Sequence, residues 1–492
     1  MTLSIGLDAA LSALSTTADQ TSIVSRNVAR AGEPGASRKI ANLVTLQGGG
    51  VKVASVTRAA NAALYDKLLG ATSDSAAQKA IVDALDRLDA TINDPELDAS
   101  PAALVGKLAD ALHTYATSPQ DAAAARSAVA AAADLAQALN AATGTVQQLR
   151  TEADGEMAAS VGNINTLLAR FETVNTEIVK GTRRGADVTD LLDERDQILT
   201  GISAEVGVRT VSRCDNDMAV YTDSGVTLFD VKARAVTFDR TYSFSATTTG
   251  NVVYADGVPI TGNSGRMLAG SGRLTRLAAI RDTYAPTYQS QLDEIARGLI
   301  TTFAESDQSA TPTLPDVPGL FTYSGAPAMP ASGTLVVGLA GSIKVNANVD
   351  PSQGGNATRL RDGGISNPGN PAYVYNSTGA AGFSQRLEQL IDALGTQQSF
   401  DASAGLVASS TLSGFASSSV SWLQESRKSA SADSDYKAAL LERASDALTK
   451  VTGVNLDEEM TLLLELERSY QASTRLVTTI DNMLAALLQA AG

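Results

Sequence analysis

"GVNLDEEMTLLLELERSYQASTRLVTTIDNMLAALLQAAG" (residues 453–492) carries a helical apolar seam almost to its last residue. Leu456, Leu463, Tyr470, Val477 and Leu484 recur every seven residues; Leu466, Ile480 and Leu487 fill three of the five positions three residues further on, and Glu459 and Ser473 the other two. A terminal helix frays unless something ties it down, so a seam of this strength predicts a partner. Its start is marked by Asn455 as N-cap with Glu458 in the reciprocal position, and Asp457, Glu458 and Glu459 sit where the helix dipole favours carboxylates. The acidic run is therefore read as a helix start rather than as a set of metal ligands.

The comparable seam lies at the other end of the chain. Leu7, Leu14, Thr21 and Val28 are seven apart, with Leu3, Ala10 and Val24 near the matching second positions. Gly32, Pro34 and Gly35 then break the helix in succession, and a loop with an extended segment follows. Pairing of the two ends, parallel or antiparallel, makes one coiled coil and turns the middle of the chain into a long excursion. The seams are short and diluted by Ala10, Thr21 and Ser473, so they gain most from neighbouring copies of the chain. Leu7, Leu14, Val28, Leu456, Leu463, Tyr470, Val477, Ile480, Leu484 and Leu487 are the expected subunit-packing residues.

Composition narrows what the excursion can be. Hydrophobic residues make up 44% of the 492 positions but aromatics only 4%, and alanine fills the gap, which favours closely packed helices. A net charge of −15 without long basic runs makes nucleic acid and anionic membranes poor partners. One cysteine, Cys214, excludes an internal disulfide and a cysteine-based zinc site. No basic segment with a continuous apolar run begins the chain, and no window is long enough to span a membrane, so the expectation is a soluble protein without a Sec-type signal.

Residues 60–205 read as helix with interruptions at "TINDPELDASP" and "TSPQDA", where Asp or Ser beside Pro marks a new N-cap. From 206 the period becomes two, with turn residues between short runs; helix returns near 272, and 306–382 is rich in Gly, Pro, Asn and Ser. The expected fold is mainly α with β insertions. Residues 1–60 with 446–492 form a terminal coiled-coil domain, and 61–205 with 267–305 and 383–445 a helical rod domain. Residues 206–266 and 306–382 form two β-rich outer insertions.

Catalytic constellations are not apparent. His113, the single histidine, lies in an alanine-rich helical run; "GRMLAGSG" (265–272) lacks the Lys-Ser/Thr of a phosphate loop; Asp215, Asp217 and Asp223 do not follow the EF-hand order and lie in an expected hairpin. No cofactor and no metal are expected. Arg195 stands out because it shares a helical face with Leu191, Leu192, Ile198, Leu199 and Ile202. A charge so placed needs a partner or a snorkelling exit, and a paired contact with an adjacent helix or subunit is the sharper expectation.

"GLDAALSALSTTADQTSIVSRNVARAGEPGASRK" (6–39) resembles the amphipathic helix and turn shared by bacterial flagellar rod, hook and hook-associated proteins, through Gly6, Leu7, Ala10, Leu14, Ser25, Asn27, Val28, Ala29, Pro34, Gly35, Ser37 and Arg38. Ala36 stands where that group usually has Tyr. Within the group, "DVTDLLDERDQILTGISAEVGVRTV" (187–211), residues 272–306, "GLFTYSG" (319–325) and the closing helix resemble, in that order, the hook-associated protein 1 or hook–filament junction family. The resemblance implies a structural protein, not an enzyme, exported through the flagellar type III apparatus and assembled outside the cell. Its implied partners are further copies of itself in a tube or ring, the hook protein, a second junction protein with flagellin beyond it, and a cytoplasmic export chaperone on the C-terminal helix. A hook or flagellin-like protein, or a secreted protein with a ligand-binding β insertion, are the alternatives.

Overall fold

The computed structural model describes residues 2–47, 49–92, 100–262 and 265–491. Helix α1 (Thr2–Arg30) is followed by the antiparallel hairpin β1 (Lys39–Thr45) and β2 (Val51–Arg58), with a register shift between Asn42 and Leu43. Between helix and hairpin, Gly35 at φ +79° makes the left-handed turn that a residue with a Cβ resists. Ser12 and Thr16 donate to the Val51 carbonyl at 2.5 and 2.6 Å, fastening β2 to α1.

The body is built on α4 (Ala122–Arg183), whose 62 residues span about 93 Å at 1.5 Å per residue. Against it lie α2 (Ala62–Ile92), α3 (Pro101–Thr117) and α5 (Thr189–Glu205). The breaks are chemical. Ser100 caps α3 by accepting from the Ala103 amide with Pro101 in the first turn, and Asp121 caps α4 by accepting from Ala123. The first proline of that earlier interruption, Pro95, lies outside the described residues. Ala125, Ala128 and Ala132 are fully buried on α4, so backbones rather than large side chains meet there.

A three-stranded antiparallel sheet, β3 (Val208–Ser212), β4 (Met218–Thr222) and β5 (Thr227–Phe229), follows α5, and a second one joins β6 (Val236–Thr237), β7 (Tyr254–Ala255) and β8 (Val258–Pro259). The chain then re-enters the body through α6 (Arg273–Ala279), a π turn at Ile280–Tyr284 and α7 (Ala285–Thr302). Pro286, in the first turn of α7, cannot donate to the preceding turn, which explains the widened turn before it.

Residues 306–382, expected to be β-rich, hold only one short ladder of β9 (Phe321–Thr322) and β10 (Lys344–Val345); α8 (Arg359–Asp362) is a single turn, and 3-10 turns and loops make up the rest, because the Gly, Pro and Asn of this segment favour turns over ladders. Helix α9 (Gln385–Leu394) is separated from α10 (Leu412–Thr452) by a loop carrying β11 (Gln398–Ser399) and β12 (Ser409–Ser410). The expected continuous helix over 383–445 is thus interrupted, because Gly395 ends α9 and the polar run after it offers no apolar period. Helix α10 packs on α2, and after Gly453 the chain enters α11 (Leu456–Ala491), which packs chiefly on α1.

A candidate assembly node at the base of the paired termini

The terminal pair is antiparallel. Ile480 lies over Gly6 near the start of α1, and Glu459 meets Asn27 near its end. Leu466 and Ile480 are buried in the seam, while Leu463, Val477 and Leu484 of α11 and Leu7, Leu14 and Val28 of α1 are half-buried. Leu456, Tyr470 and Leu487 are 49%, 44% and 54% exposed, so α1 leaves much of each uncovered in the single chain. Ile5 and Leu11 on α1, and Met460, Leu464, Leu476, Met483 and Leu488 on α11, are exposed as well. That much uncovered apolar surface on one two-helix unit marks a surface for association.

The base of the pair is polar. Glu459, a seam position that reads as a dilution, is 1% exposed; it accepts from Asn27 Nδ2 at 3.0 Å and from Arg38 Nε at 2.6 Å. Asn455 caps α11 by accepting from the Asp457 amide at 3.0 Å. Capping therefore accounts for the first part of the acidic run, whereas Glu459 serves a contact across the chain ends. Arg38 also reaches Glu458 at 3.3 Å, and its amide donates to the Thr452 carbonyl at 2.8 Å.

Lys39, the next residue, faces the other way. Its ammonium, buried with the chain around it, pairs with Asp193 on α5 and donates to the Thr189 carbonyl at 3.1 Å. Asp193 is fully buried and also accepts from the Ser37 amide at 3.1 Å, Ser37 Oγ at 2.6 Å and Arg58 Nη1 at 2.9 Å. Burial opposes its ionisation, but the donors from Lys39, Ser37 and Arg58 outweigh burial and hold it below the usual aspartate range. Arg58 continues to Asp196 at 2.7 Å, whose carboxyl is nevertheless raised by burial. Above this centre Arg26 pairs with Asp187 at 2.9 Å and Arg30 with Asp190 at 2.5 Å.

The node thus fixes the N-terminal helix and hairpin to α5 and the C-terminal helix to the N-terminal turn. Spacing carries a partial hint of it: Arg26 and Arg30 are four apart on α1, and Asp190 and Asp193 three apart on α5, so each of these two pairs shares a helical face, while Asp187 precedes α5. Arg195 lies on α5 just beyond the node. It is 5% exposed, donates to Asn175 Oδ1 on α4 at 3.0 Å and to the Asn216 carbonyl at 2.5 Å, and burial lowers its pKa. The carbonyl belongs to the β3–β4 turn, in which Asp215 and Asn216 both adopt φ of +58°.

The other sequence candidates are dispersed. His113 is exposed; Asp215 pairs with Arg183 at 2.8 Å, Asp217 accepts from Asn175 at 2.7 Å, and Asp223 accepts from the Gly270 amide at 3.0 Å. Residues 265–272 are the turn into α6.

Comparison with known proteins accords with this architecture. Residues 85–313 match the family described as the flagellar hook-associated protein FlgK helical domain, and residues 449–490 match the C-terminal family of the flagellar basal body rod FlgEFG proteins. The two matches lie in separate parts of the chain, and the first covers just under half of it. Flagellar hook-associated protein 1 of Bacillus subtilis (strain 168) is 21% identical over 382 residues, covering 73% of this chain and 70% of that protein. The flagellar hook junction protein FlgK from Burkholderia pseudomallei superposes with a TM-score of 0.41 at 20% identity, over 53% of this chain and 47% of that one; the superposition spans about half of each. The matches divide as the fold does. The FlgK helical family covers the α4 body, and the basal-body family covers the α11 arm.

Proposed function

We propose that this chain is the structural subunit that joins the flagellar hook to the filament, acting by packing and not by catalysis. The observation that carries the reading is the antiparallel α1–α11 pair, apolar on its outer side and tied at its base to the FlgK-like helical body. In this reading the part-exposed side chains Leu456, Tyr470 and Leu487 meet neighbouring copies in a tube or ring, while Leu466 and Ile480 close the pair within one chain. Residues 1–60 with 446–492 are the tube-forming domain. Residues 61–205, 267–305 and 383–445 are the rod domain, and 206–266 and 306–382 are the outer insertions.

The hook protein lies below, and a second junction protein with flagellin above. The subunit leaves the cell through the flagellar type III apparatus, with a cytoplasmic chaperone on its C-terminal helix beforehand. Deleting the gene tests the reading. Intact hooks without filaments, with unpolymerised flagellin in the medium, are expected; normal filaments would overturn it. A chain lacking 306–382 that still joins filament to hook would assign that insertion an accessory role.

A further inference from the structure

The first insertion carries a cleft of about 320 Å³ where the β6–β7 ladder splays apart. Thr237 and Tyr254 pair across the ladder, and residues 238–239 and 250–252 continue as the two walls. Asn251 Nδ2 donates to the Asp239 carbonyl at 2.9 Å and ties the walls together. Both walls are also pinned from behind. The Thr241 amide donates to Asp154 at 2.7 Å, the Asn251 carbonyl accepts from Arg281 at 2.7 Å, and Asp154 and Arg281 pair with each other inside the body. Gly250 has no room for a side chain, because a Cβ there would run into the Arg281 guanidinium. The shape of the cleft is therefore set by the fold before a ligand arrives, which lowers the ordering cost of binding.

The side chains that line it are uncommitted. Tyr254 is 40% exposed, and Thr237, Asp239 and Asn251 are exposed as well. Among the described residues, the Asp239 carboxylate, the Asn251 amide oxygen and the Thr237 and Tyr254 hydroxyls have no intramolecular partner. No Lys or Arg is among the described lining residues; Arg240, next to Asp239, lies over the Tyr242 ring at 5.1 Å and against α4 at Gly155. We propose that this cleft binds a neutral saccharide. The Tyr254 ring supplies the flat apolar surface on which the C–H face of a pyranose packs, and Asp239, Asn251 and Thr237 supply the hydrogen-bonding groups that read its hydroxyls. The volume is at the small end of ligand clefts, roughly 300–1,000 Å³, and suits a short saccharide. A carboxylate with no cation beside it disfavours sialic and uronic acids. The site is built by the first insertion and the buried Asp154–Arg281 pair alone, so it stands apart from the junction reading.

A glycan array probed with the full chain, followed by titration calorimetry of the neutral glycan it retains best, tests the proposal. Neutral oligosaccharides such as maltotriose or N,N′-diacetylchitobiose are expected to bind, and sialyllactose is not. Tyr254→Ala and Asp239→Ala are each expected to weaken binding about tenfold, whereas Tyr254→Phe, which keeps the ring, should stay within about threefold of wild type. Asp239→Ala removes an exposed carboxylate from no internal contact, so it keeps the test open if Tyr254→Ala misfolds. Filament formation is expected to be unchanged in all three variants, which separates this site from the assembly role. The proposal is overturned if no neutral saccharide on the array binds, if sialylated glycans bind as well as neutral ones, or if binding survives both Tyr254→Ala and Asp239→Ala.

Discussion

Asp154 and Arg281, 127 positions apart in the chain, meet inside the helical body at 2.5 Å with neither side chain exposed to solvent. Arg281 sits in the π turn and also binds Asp282 and the Asn251 carbonyl, both through Nη2, at 2.8 and 2.7 Å; Asp154 also accepts from the Thr241 amide. One buried pair therefore holds α4, the α6–α7 connection and the first insertion together. Removing one partner strands the other charge away from water, so Arg281→Ala is expected to cost about 3–5 kcal/mol of stability. Chemical denaturation should show it as a lower midpoint, with loss of protection around 238–253.

Arg195 closes a similar contact next to the assembly node. Arg195→Ala leaves the Asn216 carbonyl and the Asn175 amide oxygen without their donor, and a loss of about 2–3 kcal/mol is expected. Arg195→Lys should recover only part of it, because a point charge cannot reproduce the two-directional guanidinium. Thermal unfolding of the three chains checks this; equal stability would remove Arg195 from the account.

Asp293 on α7 predicts a pH response. Its donors are the Gly338 and Ala340 amides at 2.8 Å and Gln289 Nε2 at 3.0 Å, all neutral, and burial outweighs them, raising its pKa to about 6. A carboxyl raised on folding stabilises the fold fully below its unfolded value near 4, and that contribution is lost as pH rises through about 6. Unfolding free energy should therefore fall by about 2–3 kcal/mol across this window relative to Asp293→Asn. Asp193, lowered by its donors, behaves oppositely: its contribution is present above about pH 4 and is lost only below it.

Much of this architecture is legible in the residues because it is written in local chemistry. The seven-residue seams name the terminal helices, Ser100 and Asp121 mark the helix starts, and the change of period at 206 marks the first sheet. The node is less legible because its pairs are 154 positions apart for Lys39–Asp193 and 432 for Asn27–Glu459, and 53 acidic residues offer no local reason to single out two. Glu459 reads as an interruption of an apolar seam, whereas buried beside Arg38 and Asn27 it is the seam's polar lock. The π turn is hidden because a single proline near a helix start fits several local geometries.

The seam itself should tolerate truncation unevenly. Ile480→Ala removes a buried contact over Gly6 and is expected to destabilise the α1–α11 pair by about 1–3 kcal/mol. Leu487→Ala, at a side chain 54% exposed, should leave the single chain unchanged and weaken only its self-association. Circular dichroism of the dilute chain, with sedimentation at high concentration, separates the two effects.

The central claim is that the terminal pair works because the Asp193 node holds it on the body. Electron microscopy of a gene-deleted strain complemented with Asp193→Ala tests it directly, with secreted protein measured alongside. The account predicts that the variant is exported at wild-type amounts yet leaves most hooks without filaments. Filaments of normal number and length would contradict it.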